Sequence, residues 1–532
     1  MPAGERAGNE PAGGAGRLRA AGRRLPGWLV VGIPIVAELL VGGYRLGAAS
    51  LWRDEAYTLD AAQRSFGQIF SLLLHVDAVH GPYYLGMHLV VRVLGTSAAA
   101  LRLPSLLATS LAAGATAALG RRLALTSGLP APAATGLLAG LLFVAAPQTT
   151  YYAQDARPYG LVSLFAVAAT YLLVVAIADG RNRWWAAYAA AIAATGLVSL
   201  FALLLLAAHG VTLLLSRNRA RLVPWLVAVA AAVAVTSPLI VLGYSQDRTL
   251  GWVTRPNAAA VTGMVVEFAG SRAVLAVAVC LTAAGLIARN LTGAGRAAVP
   301  GQEAGRQEAS RQEVSVVTVA LPWLVLPPVI LLAVSLVKPV YVERYVVFCQ
   351  PALALLAAAG VAWLAGLIAA SPAGRRIPAL AWAAPLVILA AVAALLIGPQ
   401  RAARLTSARP DNLRGVAAVV AANERPEDAV FYVPSEARVV SMGYPGPFRK
   451  LRDVALKKSP IASDSLTGTQ VSPAVLARRF AGVRRVWVVQ WSASPNPGTT
   501  DGRAELALLR RMRLVRRWTV RSVVLSLYAG QP

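Results

Sequence analysis

Charge is scarce in this chain: only 14% of its 532 residues are Asp, Glu, Lys or Arg, against 57% hydrophobic. Together with a positive mean hydropathy, that balance excludes a set of two or three soluble domains and points to an integral membrane protein. Acidic residues are the scarcer sign, 24 against 51 basic ones, for a formal net charge of +27. Lys is nearly absent, and the Arg residues stand in short clusters between apolar runs, a pattern of orientation signals and not of a nucleic-acid surface. The only two cysteines, Cys280 and Cys349, lie inside apolar segments, so no disulfide framework and no thiolate metal site follows. There is no Gly-rich phosphate loop and no Asp-x-Asp pair, which removes support for a nucleotide-sugar donor held as in soluble enzymes. Collagen, coiled coil, a wholly disordered chain and a secreted disulfide scaffold are excluded by the same composition.

Long apolar runs are what the chain has. A bilayer core of about 30 Å needs roughly 20 apolar residues per helix. About eleven stretches qualify: 27–44, 103–120, 133–150, 159–178, 184–198, 199–216, 222–243, 273–288, 314–337, 345–370 and 377–398. The fifth and sixth are read as a hairpin of two short crossings. Arg17 to Arg24, Arg121/Arg122, Arg181/Arg183, Arg217 to Arg221, Arg289 to Arg311 and Arg375/Arg376 fill the first tail and every second loop, which makes those cytoplasmic. Loops 45–102, 151–158, 244–272 and 338–344, and the region after 398, then face outward. Residues 1–26 read as a disordered cytoplasmic tail and 291–313 as a floppy cytoplasmic loop. Within the spans Glu38 is the one charged residue, and His209 reads as an interhelical contact.

Residues 399–532 change character. Apolar runs shorten to strand length at Asp428–Val433 and Val486–Trp491, helical patterns fall near 411–425, 474–481 and 502–512, and Leu514–Val520 can pair with Ser522–Tyr528 as a hairpin. The fold class expected is therefore mostly α: a polytopic membrane domain over 27–398 followed by a small extracytoplasmic α/β domain over 399–532. Its many Arg residues do not contradict the orientation rule, because long domains translocate largely regardless of charge.

Chemistry concentrates in the outward loops. Asp54 and Glu55 lie about ten residues past the first span, and a carboxylate there can act as general base on an acceptor hydroxyl. A structural alternative is that Asp54 caps a short interfacial helix, with Arg53 as a solvent partner. Arg157 and Arg344 each stand just before an apolar span, where a cation opposes the helix dipole and is better explained by an anion such as a leaving phosphate, or else as an interfacial Arg among tyrosines. His80 is a possible hydrogen-bond donor to the same phosphate. Asp77, Tyr83, Gln154, Asp155 and Tyr159 sit in the same outward segments and are assigned to a substrate pocket. His75, Asp77, His80 and His88 raise a divalent metal as an alternative, but Gly81-Pro82 breaks the helix that would align them, so no metal or other cofactor is expected to be required.

Five elements taken in order, Trp52-Arg-Asp-Glu-Ala56, His80-Gly-Pro-Tyr-Tyr-Leu85, Ala100-Leu-Arg-Leu-Pro-Ser105, Tyr152-Ala-Gln-Asp-Ala-Arg-Pro-Tyr159 and Glu343-Arg-Tyr345 with Pro351-Ala-Leu-Ala-Leu355, resemble the GT-C membrane glycosyltransferases. Within that class the chain is similar to the bacterial branch of the dolichyl-phosphate-mannose protein mannosyltransferase superfamily, which also holds the lipid A aminoarabinose transferase. The resemblance implies a polyprenyl-phosphate-linked monosaccharide as donor, an extracytoplasmic site and inversion at the anomeric carbon. It implies Asp54 as the catalytic carboxylate with Glu55 as its companion, and Arg157 and Arg344 at the lipid phosphate. His80-Gly81-Pro82 departs from the Lys-Pro-Pro of related transferases.

The expectation is a glycosyltransferase, mannosyltransferase-like, in a bacterial plasma membrane, with its N-terminus cytoplasmic. Its partners would be the lipid-linked sugar, a glycan, glycolipid or protein acceptor, and the bilayer, with no nucleic acid. A lipid-linked-sugar flippase and a non-catalytic scaffold binding envelope polymer are the rival readings; the first would be expected to show internal repeats and broken helices.

Overall fold

The computed structural model describes residues 26–216, 218–246, 251, 253–283, 314–377, 379–491 and 507–530. The N-terminal tail up to residue 25, the expected loop 291–313 and the end of the eighth expected span lie outside the described residues.

A helix stands on each of the eleven apolar stretches, as it must where the backbone has no water to bond. In chain order the helices are α1 (Gly27–Gly43), α2 (Arg53–Gln63), α3 (Phe66–His75), α4 (Gly81–Leu94), α5 (Ala98–Thr126), α6 (Pro132–Ala145), α7 (Pro147–Ala153), α8 (Tyr159–Asp179), α9 (Asn182–Val198) and α10 (Leu205–Leu215). They continue with α11 (Leu222–Ser245), α12 (Ala258–Ala269), α13 (Arg272–Ala283), α14 (Val316–Val337), α15 (Gln350–Ala370) and α16 (Ala379–Ala402). By length and apolarity six of the described helices can cross a membrane, or eight if each bent pair is one span. The shortfall from eleven falls on α1 and α9, each 17 residues, and on Leu200–Leu215, where a 3-10 segment precedes α10.

Two breaks were not foreseen as such. α6 and α7 meet at 66°, at Pro147, whose ring and missing N–H prevent the helix from running on. α12, inside a stretch expected to be loop, meets α13 at 77° across Gly270, which has a φ of +79° that suits glycine. Small residues let the first helices close up: a Cβ on Gly136 of α6 would stand 2.5 Å from the Ala117 carbonyl of α5, and one on Gly140 would stand 2.6 Å from Pro34 of α1. α11 and α16 leave Leu226, Val227, Val241, Leu386, Val387 and Ile397 exposed, as lipid-facing helices would.

The 45–102 segment is not a simple connector. α2, α3 and α4 pack on one another through Leu59, Ile69, Leu72, Tyr83, Tyr84 and Met87, and α3 opens with a Ser65/Gln68 capping box.

After α16, which continues past 398 to Ala402, come α17 (Leu413–Asn423), β1 (Ala429–Val433), α18 (Val439–Gly443), β2 (Arg452–Asp453), β3 (Leu456–Lys458), β4 (Thr469–Gln470), α19 (Pro473–Phe480), β5 (Arg485–Trp491), β6 (Met512–Val520) and β7 (Val523–Gly530). Five strands form one sheet in the order β2-β1-β5-β7-β6, with β1 parallel to β2 and β5, and β7 antiparallel to β5 and β6. Side chains alternate across it: Val430, Tyr432, Trp487 and Val489 pack under α17, while Phe431, Val486 and Val488 pack under α19. The expected hairpin at 514–528 is β6–β7. Of the helix expected at 502–512, residues 507–509 are helical, β6 begins at Met512, and the start lies outside the described residues. The α17 face of this region also takes in Ala56 of α2, so the region sits directly on the first long loop.

Candidate active site

The site is built on the start of α2. Two acidic residues in its first turn complement the helix dipole, yet they point different ways, since neighbours on a helix diverge by about 100°. Glu55 turns inward and is wholly buried. Its Oε1 accepts from Arg102 Nε at 2.7 Å and from the Ala156 amide at 2.9 Å, while Oε2 accepts from Arg102 Nη2 at 2.8 Å and from the Trp52 amide at 3.3 Å. Arg102 also donates to the Leu46, Ala49 and Ser50 carbonyls. Burial would raise the Glu55 carboxyl, but the Arg102 charge outweighs it and holds the group below its ordinary value. Glu55 is thus a tie between three segments; its lone pairs are taken, which corrects its reading as a companion in the chemistry.

Asp54 turns the other way. Its Oδ2 lies 3.7 Å from Arg344 Nη2, both side chains being about one-fifth exposed. Nor does Asp54 cap α2, the alternative weighed from sequence; it stands at the second helical position. Arg157 is buried alongside: Nη1 donates to the Asp54 carbonyl at 3.5 Å and to Thr58 Oγ1 at 3.4 Å, and Nη2 donates to His80 Nε2 at 2.6 Å. The His80 ring meets Asp77 Oδ1 through Nδ1 at 2.8 Å, and the Tyr84 hydroxyl donates to the other Asp77 oxygen. Asp77 has the left-handed φ of +62° that Asp tolerates, which turns its carboxylate toward His80. Burial pushes that carboxyl up, but His80 and Arg157 more than offset it and keep it well below the carboxylate range. Both His80 nitrogens are therefore occupied, and the ring positions Arg157 instead of offering a donor of its own, a correction to the sequence reading.

The remaining pocket residues divide. Asp155 accepts from Trp52 Nε1 at 2.9 Å and is wholly buried, and its Oδ2 has no hydrogen-bond partner among the described residues. Burial first, and then the nearby Glu55 charge, push its pKa up to about 6. The Trp52 ring lies under the Arg344 guanidinium at 5.8 Å, so the indole links Asp155 behind to the Asp54 pair in front. Gln154 points away and donates to the Gly42 and Tyr44 carbonyls at the end of α1. Tyr83 is packed into the α2–α4 core, and Tyr159 lies edge-on against Tyr152. Asp54, Arg157, Arg344, His80 and Asp77 are thus brought together. Glu55 and Gln154 are placed in the supporting structure, as corrections to their assignment, while the buried Tyr83 hydroxyl stays near Arg157 and Asp155. His75 bonds the Ser71 carbonyl and His88 the Ala62 carbonyl, apart from His80. Among the described residues no three His, Cys, Asp or Glu side chains gather as metal ligands.

Three residues were missed. Arg102 lies within the Ala100–Ser105 motif, where nothing in the sequence names Glu55 as its partner. Arg409 is fully buried, donates to the Tyr151 and Gln154 carbonyls and lies 3.9 Å over the Tyr151 ring. Asp411 bonds Arg53. The latter two come from beyond the last span, and no local pattern marks them.

A family model for dolichyl-phosphate-mannose-protein mannosyltransferase matches residues 81–242. Comparison with curated proteins gives no match. Among solved structures the chain is similar to ArnT from Cupriavidus metallidurans in the apo state, with a TM-score of 0.58 at 14% identity, covering 95% of this chain and 99% of that one. It is likewise similar to ArnT from the same organism bound to undecaprenyl phosphate, with a TM-score of 0.52, 14% identity and the same coverage. The chain thus carries a mannosyltransferase-like signature over 81–242 and shares the ArnT fold along nearly its whole length.

Proposed function

We propose that the chain moves a monosaccharide from a polyprenyl-phosphate donor to a cell-envelope acceptor, with inversion, at the outer face of a bacterial plasma membrane. The observation that carries this is the Asp54 carboxylate held 3.7 Å from Arg344, with buried Arg157 hydrogen-bonded to the same helix turn. A base and two cations at one partly enclosed point are what a single displacement needs. The acceptor hydroxyl attacks the anomeric carbon as Asp54 takes its proton. The bond from that carbon to the phosphate oxygen breaks, and the electron pair leaves with the polyprenyl phosphate, whose charge falls to Arg344 and Arg157. These guanidinium groups supply the charge stabilisation, so transfer without a metal is part of the proposal. Glu55 and Asp155 hold the frame behind Trp52.

The likeness to a protein bound to undecaprenyl phosphate supports the class of donor, and the alternating Arg clusters support an outward site, eleven crossings and a cytoplasmic N-terminus. The bent pairs α6–α7 and α12–α13 favour a second reading, since a lipid-linked-sugar flippase also needs broken helices. One experiment separates them. The purified protein in lipid, with chelator present, is given a panel of polyprenyl-phosphate monosaccharides, mannose among them, and donor consumption is followed by mass spectrometry in wild type and Asp54→Asn. Consumption that vanishes in the folded variant supports transfer and names the sugar; donor moved or bound but never cleaved, equally in both, overturns it.

A further inference from the structure

The first turn of every helix leaves amide donors unbonded, and the residue before it normally supplies an acceptor. Here that residue is Trp52, whose indole can only donate. The acceptor comes instead from 358 residues away. Asp411 Oδ2 accepts from the Arg53 amide at 3.1 Å, the first of the helix. The same carboxylate takes the Arg53 side chain as a fork, Nε at 2.9 Å and Nη2 at 3.1 Å, and the Ser522 hydroxyl donates to its Oδ1. Asp411 is wholly buried, while the Arg53 guanidinium lies 4.6 Å over the Trp491 ring. Residues 411, 491 and 522, three separate parts of the C-terminal region, therefore close on the residue next to Asp54. Just upstream the Leu51 amide donates to the Tyr444 hydroxyl at 3.0 Å, and the Arg414 amide donates to Ser50 Oγ at 2.9 Å.

We infer that Asp411 caps the N-terminus of α2 in the role Trp52 cannot fill, supplied from the C-terminal region, and is a positioning residue for Asp54, so that this region is part of the active site and not an appendage. The positioning half rests on the transfer reading above; the capping half does not. A charged cap aimed along the helix axis is stronger than a neutral one, and it fixes the peptide whose neighbour must meet a reacting hydroxyl within a fraction of an ångström. Arg53 contributes as the clamp on the cap, not through contact with substrate.

The test uses the full chain in lipid and two readouts. Asp411→Ala is expected to speed amide hydrogen exchange in the segment 51–57 about fivefold or more, the scale of a lost cap, with exchange in α5 unchanged. It is also expected to lower kcat by about tenfold or more while the donor KM stays within about twofold, because the base is misplaced and the donor cations are not. Asp411→Asn keeps a neutral acceptor in the same shape and should recover part of both effects, which a general loss of fold would not. If Asp411→Ala does not accumulate as folded protein, Asp411→Asn against Ser522→Ala carries the comparison, with the larger change in the first. Unchanged exchange in 51–57 overturns the cap, and faster exchange with wild-type kcat overturns the positioning. A wild type that cleaves no donor removes the transfer reading and the positioning with it, and exchange alone then decides the cap.

Discussion

Trp52 joins the two halves of the site at the scale of a single side chain. Its N–H anchors on Asp155, in a buried place where a carboxylate is costly to ionise, and its ring face supports Arg344 in front. The raised pKa of Asp155 fixes the sign of a pH effect. Below about pH 4 the group is protonated in both folded and unfolded chains, so it contributes no pH dependence. Between its ordinary 3.8 and about 6, the unfolded chain ionises while the folded one keeps its proton, so stability falls through that window and levels off above it. Asp155→Asn keeps an acceptor for Trp52 and removes the fall. Melting temperatures of the two proteins in detergent are expected to differ little at pH 4, with the variant gaining as pH rises to 7; parallel curves would show that Asp155 ionises freely in the fold. The Glu55–Arg102 pair behaves in the opposite sense. It is fully enclosed, and removing one member strands the other's charge at a cost of about 3–5 kcal/mol. Glu55→Ala should therefore lose folded protein, measured by gel filtration and thermal melting, while Glu55→Leu with Arg102→Met loses less than either change alone.

At the scale of helices, close approach depends on small residues. Gly136→Leu would drive its side chain into the Ala117 carbonyl and the Arg121 backbone, parting α5 from α6. Gly32→Ala, with nothing within 4 Å of the new methyl, is the matched control. Expected results are aggregation or a melting loss of several degrees for the first and no loss for the second. These elements were also the most legible part of the sequence. Each apolar stretch carries a helix because apolar length in lipid leaves the backbone little choice. The breaks were less legible for identifiable reasons. Pro147 was in view, but counting apolar residues across it merged α6 and α7 into one run. α12 has 12 residues, below the length at which a span would be sought, and reads as loop until Asn257 is seen to cap it.

For the molecule as a whole, legibility followed sequence distance. Asp54, Arg157 and Arg344 stood out because each is a charge at the end of an apolar run, a contrast visible within about 20 residues. Arg409 and Asp411 had no such contrast, and their meaning lies in contacts 255 and 358 residues away. Glu55 was visible but misread, because only the fold shows that Arg102 waits for it. The long reach of the cap also orders events during synthesis. A chain is made from its N-terminus, and its early segments settle before its late ones exist. α2 emerges with the first loop, yet the carboxylate that finishes it arrives with residue 411, and the hydroxyl that steadies that carboxylate arrives only with residue 522. Until translation has passed that point α2 lacks its cap, so on the transfer reading proposed above a stalled or clipped chain would sit in the bilayer already threaded, but unable to move a sugar.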